Sequence, residues 1–287
     1  MSVYNKYLKD IQMDYSSGAR ELVKKMLNYV KIMLERNISI SEIKNFLINV
    51  MNIRPSIKPI YNSSKILLRA LDEGLDKRLI MIVNNLSDHL DKSSEKIAKN
   101  LKDILLDESV IMTISKSSTI LESITMIERK KIKEIYVLRS HPLNEGISTA
   151  EILAKKGFKV KLISDSAAGF YIKNIDLILV GADSILKNGF INKIGTYTLA
   201  ILAHSHNKPL IVISDSLKIC LDLEEYQIEY GDIQDIYKGS VKNLCVENPL
   251  FEFVPNKYVT LYVTESGTFL PNNVEMSVKK FFQIICT

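Results

Sequence analysis

Apolar residues recur at every third or fourth position between Ser17 and Asn37: Leu22, Val23, Met26, Leu27, Val30, Met33 and Leu34. That spacing lines one face of an α-helix and predicts one there. A second helix starts at Ser39, where Ser39-Ile40-Ser41-Glu42 has the form of a capping box, and runs through Phe46 and Leu47 to about Met51. Arg54-Pro55-Ser56 breaks the pattern. A further helix from Ser63 to about Leu75 and a long one from Asp76 to about Leu105, with a candidate interruption near Lys92, complete an N-terminal bundle. Residues 1–15 alternate polar and apolar side chains and lack the apolar core of a signal peptide.

After residue 105 the period changes. Ser109 to Thr113, Glu134 to Leu138, Lys159 to Ile163, Asp176 to Val180 and Pro209 to Ile213 are short β-branched runs. Helical segments lie between them: Ser117 to Ile127, Gly146 to Lys156, Ser166 to about Lys173 and Gly195 to His206. This alternation is the mark of right-handed βαβ crossovers on a parallel sheet. The tail adds apolar runs at Lys242 to Cys245 and Val259 to Val263, which extend the sheet, and a last helix from about Asn273. The expected fold is therefore α/β: an all-helical N-terminal domain over residues 1–105, then a Rossmann-like, doubly wound parallel sheet domain over 106–287.

Bulk composition fits this picture. With 287 residues, 46% hydrophobic and 25% charged, the chain has ample material for a core. Its length favours two domains, with a single large α/β domain as the alternative. Three widely spaced cysteines, Cys220, Cys245 and Cys286, match neither a disulfide framework nor a C-x-x-C metal site, which implies a reducing compartment. No run of about 18 apolar residues spans a bilayer. The expectation is a cytoplasmic protein without a membrane partner. Of the net charge of +5, about +6 falls before residue 105, leaving the remainder near neutral. A solvated helical surface accounts for it better than nucleic-acid binding, because no RNA or DNA motif accompanies the charge.

In an open parallel sheet the ligand crevice lies beyond the carboxyl ends of the strands. The residues there are Thr113-Ile114-Ser115-Lys116-Ser117-Ser118, Arg139-Ser140-His141-Pro142 followed by Gly146, Ser164-Asp165-Ser166-Ala167-Ala168, and Gly181-Ala182-Asp183. Small and hydroxyl residues at helix starts leave backbone N–H groups open to an anion such as phosphate; at any one loop, an ordinary N-cap or turn explains them equally well. Asn192-Lys193-Ile194-Gly195-Thr196 puts an amide, a cation, a glycine and a hydroxyl ahead of an apolar helix. Lys193 is a candidate point charge for a phosphate, with the Gly195 and Thr196 amides beside it; a plain surface turn is the alternative. Arg54 is a second candidate cation, or a solvated loop residue. Asp183 ends an apolar strand, which would leave its carboxylate partly desolvated at the crevice mouth and makes it the candidate general base; capping a neighbouring loop is the alternative. His204 and His206 point to different sides of a helix, so no metal site is expected.

Several motifs follow one another in an order that resembles a known family: Ser17-Gly18-Ala19, Arg54-Pro55-Ser56, Ser164-Asp165-Ser166-Ala167, Gly181-Ala182-Asp183, Asn192-Lys193-Ile194-Gly195-Thr196-Tyr197, Asn248-Pro249-Leu250-Phe251 and Thr264-Glu265-Ser266-Gly267. Together they are similar to the family uniting the alpha, beta and delta regulatory subunits of translation initiation factor 2B with methylthioribose-1-phosphate isomerase and archaeal ribose-1,5-bisphosphate isomerase. The resemblance covers nearly the whole chain and implies dimerisation through the α/β domain.

For an isomerase, the resemblance implies a cysteine after the first α/β strand working with the aspartate of Gly-Ala-Asp. Asp183 matches the aspartate, and Ser115 stands at the cysteine position. Arg139 and His141 replace a glutamate and an arginine, and Ser17 replaces an arginine. The resemblance assigns phosphate or ligand contacts to Gly18, Ala19, Arg54, Arg139, His141, Gly146, Asn192, Lys193 and Gly195. A serine hydroxyl is a far weaker acid than a thiol with its pKa near 8.5, and losing a positioned acid or base costs on the order of 10²- to 10⁴-fold in rate. The sequence reading therefore puts first a non-catalytic, initiation factor 2B-like regulatory protein that binds a sugar phosphate or nucleotide, with initiation factor 2 as its implied partner. The alternative is an aldose–ketose isomerase acting on a ribose phosphate. Neither reading calls for a cofactor or a metal, and both expect a homodimer.

Overall fold

The computed structural model describes residues 3–14, 19–53, 58–75, 78–221 and 229–286. The chain divides into two compact units, one of Met1–Ser93, Leu217–Cys220 and Val278–Thr287, the other of Ser94–Ser216 and Leu221–Ser277.

The first unit is helical: α1 (Val3–Gln12), α2 (Ala19–Glu35), α3 (Ile40–Ile53), α4 (Lys58–Asp72), most of α5 (Leu79–Lys102) and most of α10 (Glu275–Cys286). The apolar stripe of α2 packs against Phe46, Leu47, Leu67 and Leu86, with Phe281 and Ile285 closing the same core. Ser39 caps α3: its Oγ accepts the Glu42 amide at 3.3 Å and donates to the Glu42 carboxylate at 2.9 Å. The box closes through the two side chains, where the usual form returns the carboxylate to the cap's own amide. Helix α4 starts at Lys58 instead of Ser63, because Pro59 is tolerated in a first turn whose N–H groups have no helical acceptor. Helix α5 runs through Lys92 unbroken. Helix α1, which the alternating polar pattern did not reveal, buries Tyr7 and Ile11, and Tyr7 stacks on Tyr29 at 4.1 Å.

The second unit carries a seven-stranded sheet of β1 (Ser109–Thr113), β2 (Ile132–Leu138), β3 (Val160–Ile163), β4 (Leu177–Gly181), β7 (Leu210–Ile213), β9 (Leu261–Thr264) and β10 (Gly267–Phe269), in the order β10-β9-β7-β4-β1-β2-β3. All neighbours are parallel except β10, which returns antiparallel on β9. Numbered among themselves, the six parallel strands run 3-2-1-4-5-6, the doubly wound order, with its switch point between β1 and β4. Ile111, Ile135, Val137, Leu177, Leu179 and Ile213 form the buried sheet face with Ile120 and Ile124 of α6 (Ser118–Met126) and Leu153 of α7 (Glu145–Lys155). The helix expected from Ser166 is fragmentary: a four-residue α8 (Ala168–Tyr171) between two single 3-10 turns.

A second sheet was not anticipated. Strands β5 (Ser184–Leu186), β6 (Gly189–Lys193) and β8 (Phe251–Pro255) pair antiparallel in the order β5-β6-β8. Asn192 and Lys193 are thus the buried end of a strand, 5% and 3% exposed, and not a surface turn. Lys242 to Cys245, expected as a strand, is exposed and held by a turn from the Leu244 amide to the Val241 carbonyl. Among the described residues, no helix is long and apolar enough to cross a membrane.

Candidate functional site

At the switch point the chain leaves β1 through Ser115, whose φ of 72° places a non-glycine residue in the left-handed region. Three contacts hold it there. Its amide donates to Ser140 Oγ at 2.7 Å, its carbonyl accepts the Thr149 hydroxyl of α7 at 2.9 Å, and its own Oγ donates to Glu145 Oε1 at 3.1 Å. Ser140, itself at φ 66°, is fully buried and also donates to the Leu138 carbonyl at 3.0 Å. The Ser140 and His141 amides both donate to the Asp165 carboxylate at 2.7 Å, so Asp165 fastens the turn after β2 to the turn after β3. The side chains of Arg139 and His141 on either side of Ser140 are exposed.

Helix α7 begins at Glu145, close against β2. A Cβ added at Gly146 would stand 1.8 Å from the Leu138 carbonyl oxygen, so only glycine permits this approach. Gly181, at the end of β4, has the same part: an added Cβ would lie 2.9 Å from Oγ of Ser117, the residue that caps α6.

Glu145 joins the two sheets. Its Oε1 receives Ser115 Oγ and, also at 3.1 Å, the ammonium of Lys193 at the end of β6. Its Oε2 is buried and has no hydrogen-bond partner among the described residues. Lys193 is nearly inaccessible, and a buried ammonium requires an anion at hand. Asn192 donates through its amide to Thr196 Oγ1 at 2.9 Å, and Thr196 donates to the Lys193 carbonyl at 2.6 Å, which fixes the entry into α9 (Thr196–Ser205). Gly195 makes that turn at φ 98°.

The N-terminus of α9 holds an internal carboxylate. Glu252 of β8 accepts the Tyr197 amide at 2.8 Å. Burial pushes its carboxyl above the usual range, with the Tyr197, Gly195 and Thr196 amides acting the other way. The amides expected beside a phosphate at Lys193 therefore face Glu252. Asp183 follows β4 with its amide bonded to the Ile191 carbonyl at 2.8 Å; its side chain is exposed, not half-buried. Ser115, Gly146, Asn192, Lys193 and Gly195 thus lie in the segments that Glu145 ties together across the two sheets. Ala19 opens α2 in the helical unit, and Gly18 and Arg54 lie outside the described residues.

Glu145, Asp165 and Glu252 were not among the candidates from sequence. The signals were present but read locally: Glu145 sits in a first helical turn, where an acid ordinarily complements the helix dipole, and Asp165 lies in a turn where Asp is common.

The model of the initiation factor 2 subunit family matches residues 6–271. The chain belongs to that family. Within it, the chain is 29% identical over 241 residues to ribose 1,5-bisphosphate isomerase of Methanocaldococcus jannaschii, with 81% of this chain and 78% of that one covered. It is 30% identical over 225 residues to a putative translation initiation factor eIF-2B subunit 2-like protein of Pyrococcus horikoshii, covering 77% and 79%. The fold is that of a solved P. horikoshii translation initiation factor eIF-2B, with a TM-score of 0.74 at 25% identity over 94% of this chain and 98% of that one. This family member therefore has relatives named as isomerases and relatives named as initiation-factor subunits. The resemblance drawn from its motifs and the fold drawn from its periodicity both hold.

Proposed function

We propose that this protein is an aldose–ketose isomerase acting on a ribose phosphate, of the ribose-1,5-bisphosphate or methylthioribose-1-phosphate type. The observation that carries the reading is the group at the switch point: a carboxylate with one buried free oxygen, whose other oxygen is reached at 3.1 Å by both a serine hydroxyl and a buried lysine. Moving hydrogen between two adjacent carbons of a sugar needs such groups in a desolvated place, and the isomerase names among the relatives support it. In this reading Lys193 and Asn192 bind phosphate, with Gly146 and Gly195 shaping the turns around it. Arg139 and His141 add ligand contacts. Asp183 moves protons on oxygen, Ser115 stands beside the reacting carbon, and the protein works as a cytoplasmic homodimer.

The test is to incubate purified protein with ribose 1,5-bisphosphate or methylthioribose 1-phosphate and follow the sugar by NMR for several hours. Appearance of the ketose phosphate is expected. Thermal stabilisation by a ligand with no conversion of either sugar would overturn the reading.

That outcome would favour a second reading, a regulatory protein of the initiation factor 2B kind that senses a sugar phosphate, AMP or GDP and contacts initiation factor 2. Two observations support it: a serine at the family's cysteine position, and the α9 N-terminus already holding Glu252.

A further inference from the structure

If the protein is an isomerase, the group that handles the carbon-bound hydrogen needs a source, because Ser115 is too weak an acid and its conjugate base too costly to form. Asp183 does not supply it from a desolvated position, since its side chain is exposed. The carboxylate that does lie in such a position is Glu145. Both of its described donors, Ser115 Oγ and Lys193 Nζ, fall on Oε1 at 3.1 Å. Oε2 is left buried without a donor among the described residues, so its lone pairs are available to take a proton. Gly146 seats the first turn of α7 against the Leu138 carbonyl, and Lys193 is locked on a strand end at 3% exposure.

We propose that Glu145 is the catalytic base of this chain, with Oε2 taking the part that the resemblance gives to a thiol. The inference rests on the isomerase reading. For a sugar carrying phosphate at C1, the C2–H bond breaks and its proton passes to Glu145 Oε2. The electron pair forms the C1=C2 double bond as the C1–O4 bond opens, and O4 takes a proton from Asp183. Glu145 then delivers its proton to C1, the C2 hydroxyl returns a proton to Asp183, and C2 becomes the carbonyl. Both carboxyl groups end as they began, and no further reactant is consumed. Ser115 is a positioning residue that, with Lys193, occupies Oε1 and leaves Oε2 to take the proton.

The experiment compares wild type with Glu145→Gln, which preserves shape while removing the proton acceptor. It reads turnover of ribose 1,5-bisphosphate, wash-out of the C2 hydrogen into D2O by NMR, and Kd by calorimetry. We expect turnover and wash-out to fall together by about 10²-fold or more, with Kd within about threefold of wild type. Turnover of the Gln variant within about threefold of wild type would overturn the proposal. So would a loss explained by Kd alone. Should the Gln variant fail to fold, Glu145→Asp decides: it keeps a carboxylate but withdraws it by one methylene, so wash-out must fall by at least about tenfold with Kd retained, and unchanged wash-out overturns the role. A wild type that converts neither sugar overturns the isomerase reading and the base with it, whereas an active wild type beside an active Gln variant removes Glu145 alone.

Discussion

Glu252 and Tyr197 are 55 positions apart, yet the carboxylate of one caps the helix of the other. Burial raises the carboxyl above the usual range and the α9 amides only partly offset this, so the folded state holds its proton at pH values where the unfolded chain has lost it. Stability from this group is therefore greatest below the ordinary carboxylate pKa and declines as pH rises through the raised value. Glu252→Gln keeps an oxygen for the Tyr197 amide and removes the charge. In denaturant melts the variant is expected to gain on wild type as pH rises from the ordinary carboxylate range through the raised value. A wild type that gains on the variant over that range would show that the amides outweigh the burial. At this scale the sequence disclosed half of each contact. Lys193, Gly195 and Ser115 stand out in their own segments, but their partners Glu145 and Glu252 are brought in by the fold, and the local setting of Glu145 in a first helical turn points only to the helix dipole. Periodicity and turn chemistry look only a few residues along the chain.

At the scale of elements, strands β1, β2, β4 and β7 were legible because buried parallel strands are nearly continuous apolar runs, and the half-exposed edge strand β3 was legible from its short run of Val160, Leu162 and Ile163. The β5-β6-β8 sheet was not. Ser184–Leu186 is three residues long, β6 mixes Gly189, Asn192 and Lys193 among its apolar positions, and its partner β8 lies far along the chain. Helix α7 tests how tightly the site depends on element packing. Gly146→Ala would press a methyl against the Leu138 carbonyl oxygen, a backbone atom that cannot turn aside. We expect a loss of about 2–3 kcal/mol in unfolding free energy by chemical denaturation, accompanied, on the isomerase reading, by reduced turnover as Glu145 shifts with the first turn. A variant within about 0.5 kcal/mol of wild type would mean that α7 relaxes away from β2 at little cost.

At the scale of the whole molecule, one stretch of the α/β unit concentrates exposed apolar side chains. Tyr230, Ile233, Ile236, Tyr237, Val241 and Leu244 are all exposed within fifteen positions, several by more than half. Around them the backbone forms turns, not a strand or long helix that would explain the pattern by a buried face. Scattered single apolar residues on a surface need no account, but six exposed within one short stretch of chain mark a surface made to be covered. A second copy of the chain is the partner that the homodimer reading supplies, and a two-fold interface of this kind would bury the patch of each copy at once. Light scattering of the purified protein is then expected to give about twice the 32.6 kDa of the chain. Ile236→Asp with Leu244→Asp places charges where apolar contacts are needed and should return the mass to that of a single chain, with the far-ultraviolet spectrum unchanged. A double variant that still runs as a dimer would put the interface elsewhere on the molecule. A wild type that is monomeric at high concentration would leave the patch to a different protein, as the regulatory reading requires.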